Sequence, residues 1–467
     1  MRIPYRLTFL AALVGVVIIL VIGRVIISPP LPLIVSAGFD REIITPNADG
    51  DNDIATFSYT LARTATIDLV LIGDDGKEFY FREQQIRSDD DYAVLFSGVV
   101  DGYILEDEEI YGTVERRLIP NGTYTWQLTA VSDSGETMTK TGTLVVEDGD
   151  SPLPIISIFT VSPSTFAPNQ DGIDDRVEIN VYLEKDVESL DVFLLGPNDV
   201  HIPISARVEE REYGEAGRHR YDYEGGIDLG ADPPPDGTYT IVALAQDAVG
   251  QRIRQETELT IEVGGKPYAE IAAQAIGVDV IFDAQPYSEN LLTTRDQAGD
   301  LVAKPDDPEA LAYSQQITLP IGDMLVFMLT VENYGDVPIR TTGPVPGTVY
   351  QQEQQAATLG WFDESGAWRV GIQCATSQTS YPYRWAVGSS DDLVEVNDEA
   401  TGNTYQYLPA GKRSIVWGAV RLTEIEARNP QNCWAGLIHE DVEVSIRNNN
   451  VGARSILIVD PNNESEE

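Results

Sequence analysis

Twice in this chain an acidic turn is followed by a run in which every second residue is apolar. That duplication constrains the fold more than any other feature. PNADGDND occupies residues 46–53 and PNQDGIDD residues 168–175. Pro46, Asn47, Asp49, Gly50, Asn52 and Asp53 fall on Pro168, Asn169, Asp171, Gly172, Asp174 and Asp175. Behind the first turn come Ala55, Phe57, Tyr59 and Leu61; behind the second come Val177, Ile179, Val181 and Leu183. A period of two gives each strand one buried face. A second strand follows in each copy, with Ile67, Leu69 and Leu71 against Leu190, Val192 and Leu194. The match returns at Asn121-Gly122-Thr123-Tyr124-Thr125 and Asp236-Gly237-Thr238-Tyr239-Thr240, whose first two residues are turn signals. Tyr124, Trp126, Leu128 and Ala130 then alternate, as do Tyr239, Ile241, Ala243 and Ala245. Short strands, regular turns and no helical period predict antiparallel β-sandwiches. The repeat is as long as a domain, far beyond solenoid periods, so it reads as domain duplication.

These residues resemble a known family. A P-N-x-D-G-x-[ND]-D turn, two strands and an [ND]-G-T-Y-T strand look like the Ig-like domain of the flagellar hook-capping (FlgD-type) family. Tyr223-Glu224-Gly225-Gly226 up to Pro235-Asp236-Gly237 resembles that family's W-D-G…P-x-G-x-Y stretch. In the first copy this region is expanded by ILEDEEIYGTVERR, and Phe96-Ser97-Gly98 stands where the tryptophan motif falls. The resemblance covers residues 36–265. It implies an extracytoplasmic structural or adhesive module, with no flagellar role attached.

The amino terminus carries a different signal. Residues 7–27, LTFLAALVGVVIILVIGRVII, carry no charge except Arg24 and are otherwise apolar but for Thr8. At about 1.5 Å per residue such a helix spans roughly 30 Å, the hydrocarbon thickness of a bilayer. Arg2 and Arg6 precede it, which predicts a cytoplasmic amino terminus and everything after Ser28 outside. The competing reading is a cleaved signal peptide ending near Val35-Ser36-Ala37. An uncleaved anchor is favoured, because that site lies far beyond the apolar run. The proline-rich SPPLPL reads as a short stiff spacer.

The expected organisation is therefore all-β after one transmembrane helix: a cytoplasmic stub (1–6), an anchor (7–27), a spacer (28–35), Ig-like domains at 36–150 and 151–265, a larger β-sandwich at 266–460 and a polar tail (461–467). A chain of 467 residues is long enough for three or so domains. Its net charge of −44 repels nucleic acid and anionic headgroups, so neither is an expected partner. The membrane, through the helix, and a cell-surface protein or glycan are the expected partners.

Two chemistries compete for the acidic turns. Asn47, Asp49, Asp51 and Asp53 sit at alternate positions around Gly50, and calcium takes six to eight oxygens from such loops. Asn169, Asp171, Asp174 and Asp175 are the second candidate ligand set; Ile173 replaces Asp51 there. Leu61 stands where an EF-hand places its bidentate glutamate, so this is no EF-hand. The alternative is that Asn and Asp bond backbone amides in Asx-turns while glycine supplies an unusual φ. Calcium is expected as the cofactor on the first reading and nothing on the second.

Beyond Lys266-Pro267-Tyr268 the pattern is again β. Residues 324–331 are apolar on both alternating sets, so this strand is expected to be buried on both faces. TVENYGDVPI is similar to the N-x-G-x-x-P turns of CARDB-like adhesion modules. Five of the six tryptophans lie here, among them Trp361, Trp368 and Trp385. Exposed, they stack on sugar rings and make a carbohydrate-binding module; buried, they are core. Cys374 and Cys433 are either one disulfide outside the cytoplasm or two buried thiols. His439-Glu440-Asp441 reads as a surface triplet. No nucleophile elbow, zinc motif or phosphate loop is present, so the chain is not expected to be an enzyme. The function read from the sequence is a membrane-anchored structural or adhesion protein, with carbohydrate binding or membership of an envelope assembly as alternatives.

Overall fold

The computed structural model describes residues 5–27, 31–106, 108–196, 200–205, 212–274, 277–289, 291–292, 300–306, 316–398, 401–444 and 446–461. It is all-β apart from one amino-terminal helix and short 3₁₀ turns. It divides into two compact units. The first holds residues 1–160, 180–220 and 241–257; the second holds 161–179, 221–240 and 258–467.

In the first unit, the helix Tyr5–Ile27 has 23 residues. Its described side chains run from Phe9 to Val21, and the large apolar ones face solvent. Among the described residues no helix is long and apolar enough to cross a membrane. The outer turns of the expected span, with Arg24, carry side chains outside the described ones, as does all of Arg2.

Two sheets follow, ordered Ile34–Phe39, Ala55–Leu61, Asp91–Phe96 and Ile43–Ile44, Thr137–Val146, Gly122–Ser132, Ala65–Gly73, Glu78–Arg87. Antiparallel pairing dominates, with one parallel pair at Ile43–Ile44. Ala55, Phe57, Tyr59 and Leu61 are all buried, as their period requires. They meet Trp126 and Leu128 of the opposite sheet, with the Phe57 and Trp126 rings 5.2 Å apart edge to face. Such aromatic pairs add about 1 kcal/mol beyond their buried area.

The second copy repeats the strand Val177–Leu183 with Val177, Ile179, Val181 and Leu183 buried. Its larger sheet is ordered His201–Pro203, Ser189–Leu195, Gly237–Gln246, Arg252–Ile261, Thr113–Leu118, Val99–Asp101. The last two strands belong to the first copy. The insertion that interrupts the family pattern thus lends a strand to the next sheet, where Arg252 and Ile253 pair with Arg116 and Val114. Beside it Gln251 is wholly buried. Its Nε2 lies 2.9 Å from the carbonyls of Asp150 and Pro152, and its Oε1 accepts the Leu118 amide. Lys185 bridges Asp150 (2.7 Å) and Asp247 (3.0 Å) at the same place.

In the second unit, two large sheets enclose the main core. One centres on Met324–Asn333 paired with Arg413–Arg421. The other centres on Trp368–Cys374 paired with Gln431–His439. Leu325, Phe327 and Leu329 enter the main core, while Met324 and Val326 pack on a smaller cluster. The strand is therefore buried on both faces.

Candidate functional site: the second acidic turn and its socket

Each acidic turn is organised by its last aspartate. Asp53 accepts the amides of Asn47 (3.0 Å), Ala48 (2.8 Å) and Gly50 (2.7 Å). Asp175 accepts those of Asn169 (3.2 Å), Asp171 (3.2 Å) and Gly172 (2.6 Å). Asn47 and Asn169 each take the amide two residues on, as do Asp49 and Asp171. The chain passes through positive φ at Ala48, Gly50 and Asn52 and at Gln170, Gly172 and Asp174. For a residue with a Cβ this conformation costs of order 1 kcal/mol, which the charge-assisted amide bonds offset.

Calcium fits this arrangement poorly. The carboxylates of Asp53 and Asp175 face amide hydrogens, which repel a cation. Among the described residues the Asp51 carboxylate bonds the neighbouring Asn52 side chain alone, and Asp174 stays exposed. Among the described residues no group of three or more His, Cys, Asp or Glu could hold a metal ion. The Asx-turn explains the geometry with no ion.

The two turns differ in what covers them. Ala48 to Asn52 are exposed, whereas Asn169 and Asp171 are 3 % and 6 % exposed. The second turn sits in a socket built by the sandwich that follows it. Arg340 Nε donates to the Asp171 carbonyl (2.6 Å), its Nη2 to the Ser365 carbonyl (2.5 Å) and its Nη1 to Glu364 (3.0 Å). Tyr407 donates its hydroxyl to Asp171 Oδ2 (2.8 Å). His439 Nε2 meets the Gln170 carbonyl at 2.7 Å and stacks on Trp368 (4.3 Å). The backbones touch as well. A Cβ on Gly172 would lie 2.0 Å from the Ser365 carbonyl oxygen, and one on Gly366 would lie 2.1 Å from the Asp171 carbonyl carbon.

Burial governs the charges here. It pushes the Asp171 carboxyl up, against the Tyr407 hydroxyl and the Arg340 charge that pull it down. Burial, joined by the Asp171 charge, pushes Asp175 up to about 6. Burial also pushes His439 down to about 4, so its ring is neutral at pH 7. Behind the socket, buried Arg369 donates to the carbonyls of Thr342 and Phe362, both at 2.7 Å. Arg384 meets both oxygens of Glu440 at 2.7 Å. Arg369 at Phe362 and Arg384 at Asp363 (3.0 Å) hold the segment that leads to Ser365.

The remaining expected residues separate. Trp368 and Trp385 are 5 % and 0 % exposed and belong to the core, where Trp385 packs on Phe327 and donates to the Thr348 carbonyl. Neither presents a ring face to a ligand. Trp361 is 37 % exposed and lines a cleft of about 1060 Å³ together with Tyr405, Glu395 and Asn403. Cys374 and Cys433 are bonded to each other across paired strands. The surface reading of His439-Glu440 is corrected: they are 3 % and 5 % exposed. The sequence reading missed Arg340, Tyr407 and His439 as socket residues. The one available signal was the apolar run CWAGLI before His439, which marks a strand end in the core.

The sequence matches no described protein family and no curated protein. Among solved structures, similarity extends to a tetra-tandem repeat from the extending region of a large adhesion protein, with 13 % identity over 90 % of this chain and 96 % of that one, at a TM-score of 0.16. A 1.5-MDa bacterial ice-binding adhesin gives 10 % identity over 93 % and 99 %, at 0.19. The α-2-macroglobulin of E. coli gives 9 % over 91 % and 23 %, at 0.17. Scores this low mean that the whole chains do not superpose, and no functional argument rests on them.

Proposed function

We propose that this chain is a structural protein of the cell exterior, not an enzyme, which carries its last β-sandwich away from a membrane on Ig-like sandwiches with locked joints. The observation that carries this reading is the socket around the second acidic turn. It grips two main-chain carbonyls, a carboxylate and a glycine too close to admit a Cβ, which is how a fixed joint is built. The other joint, at Gln251 and Lys185, is likewise hydrogen-bonded, with Gln251 buried. The Cys374–Cys433 bond is at home outside the cytoplasm. The apolar helix is the proposed single-pass anchor, with residues 1–6 in the cytoplasm. Stiffness comes from the socket rather than from calcium. Protease added to intact cells should release the chain from residue 31 onward. Full protection of that region would reject an exterior location. Surface attachment should fall in Arg340→Ala cells at equal surface expression; unchanged attachment would reject the joint's role.

One observation favours a second reading, glycan binding. Trp361 and Tyr405 share the walls of a polar cleft in the last sandwich. Glycan-array binding that disappears in Trp361→Ala would support it, and an array without signal would reject it.

A further inference from the structure

The first acidic turn is a duplicate of the second without a socket. Its φ angles at Ala48, Gly50 and Asn52 are 64°, 91° and 58°, against 57°, 84° and 48° at Gln170, Gly172 and Asp174. Most of its internal bonds recur, although Asp53 takes the Ala48 amide where Asp175 takes that of Asp171. Gly50 to Asp53 is 2.7 Å and Gly172 to Asp175 is 2.6 Å; Thr45 to Asn52 is 2.9 Å and Ala167 to Asp174 is 2.8 Å. The socket grips four features of the second turn: the carbonyls of residues 170 and 171, Asp171 Oδ2, and the absent side chain of Gly172. The first turn holds the same four in the Ala48 and Asp49 carbonyls, Asp49 Oδ2 and Gly50. Among the described residues nothing donates to those three oxygens. A Cβ on Gly50 would meet nothing within 4 Å.

We propose that the first acidic turn is a second docking plug, which seats in a socket of the Arg340–Tyr407–His439 kind on another protein. This deepens the structural reading above but does not depend on the chain's location. Two arguments place the partner outside this chain's own kind. The described residues build one such socket, and the tethered second turn holds it at an effective concentration of order millimolar. Copies of charge −44 also repel one another. The partner is then a β-protein whose arginine, tyrosine and neutral histidine line a notch that admits a bare glycine.

The test uses the full chain in mild detergent at about 0.15 M salt, where repulsion is screened. The probe is the Gly172→Val chain, whose new side chain overlaps the Ser365 carbonyl and leaves its socket empty. Dye-labelled wild-type chain should bind this probe by fluorescence anisotropy. Binding should weaken at least tenfold with Gly50→Val in the labelled chain or Arg340→Ala in the probe. No binding to a probe whose last sandwich still melts cooperatively would overturn the proposal, as would binding indifferent to Gly50→Val. A second measurement covers a probe that fails to fold. The triple variant Gln170→Ala, Ile173→Asp, Asp174→Asn writes the first turn into the second position. It should keep the wild-type melting temperature within about 2 °C, with Arg340→Ala lowering both equally. A loss as large as that of Gly172→Val would show that the first turn does not fit.

Discussion

At the scale of single residues, the twin glycines separate two costs that sequence cannot tell apart. Gly50 and Gly172 share positive φ, and only Gly172 has a neighbour where a Cβ would go. Gly50→Ala should cost about 1 kcal/mol through backbone strain alone. Gly172→Ala adds a steric clash and should cost about 3 kcal/mol. Urea unfolding of each variant checks the difference; equal losses would mean that the socket yields to the methyl group. His439 carries the pH response. Its folded value lies near 4, below the ordinary 6.5, because burial disfavours the imidazolium. Its contribution is therefore full above about 6.5 and is lost as pH falls through 4. Asp175 runs the other way, since its value is raised to about 6. It favours the folded state below the ordinary carboxyl value and loses that contribution as pH rises through 6. His439→Gln removes the first contribution only. Melting followed from pH 7 to 4 should then fall less steeply in the variant than in the wild type.

At the scale of elements, the strands were legible and the joints were not. Period-two runs such as Ala55–Leu61 and Val177–Leu183 depend on local sequence alone, and their buried faces are the apolar ones. The insertion ILEDEEIYGTVERR reads in sequence as an expansion of the family pattern. Its strand Thr113–Leu118 is set by a partner in the second copy, which no local pattern encodes. The socket is harder still, because it gathers Arg340, Ser365, Tyr407 and His439 from four separate segments. The turn itself was legible as a turn, but its chemistry was not, since calcium loops and Asx-turns use the same residue types. The inserted strand supplies a test of coupling. Val114 is buried opposite Ile253. Val114→Asp buries an unpaired carboxylate there and should cost about 3 kcal/mol. Hydrogen exchange should speed up along Arg252–Ile261 as well as along Thr113–Leu118. Faster exchange in the inserted strand alone would show that it is an appendage.

At the scale of the whole molecule, charge and metal make opposing predictions about salt. A net charge of −44 works against compactness through self-repulsion, which any electrolyte screens. Sodium chloride should therefore raise the melting temperature. Calcium chloride should do so equally at matched ionic strength, because the Asp53 and Asp175 carboxylates are already bound to amides. A cation that bound only the folded chain would add RT ln(1 + [L]/Kd), or about 2.7 kcal/mol at a hundred times its Kd. That excess is large enough to see as a separate shift of several degrees. Calorimetry in the two salts at equal ionic strength distinguishes the cases. Superimposed transitions would leave both acidic turns as metal-free Asx-turns and assign the salt effect to screening. A calcium-specific rise that Asp49→Ala with Asp171→Ala abolishes would make both turns metal sites, and the socket would then grip a loop that a metal had already shaped.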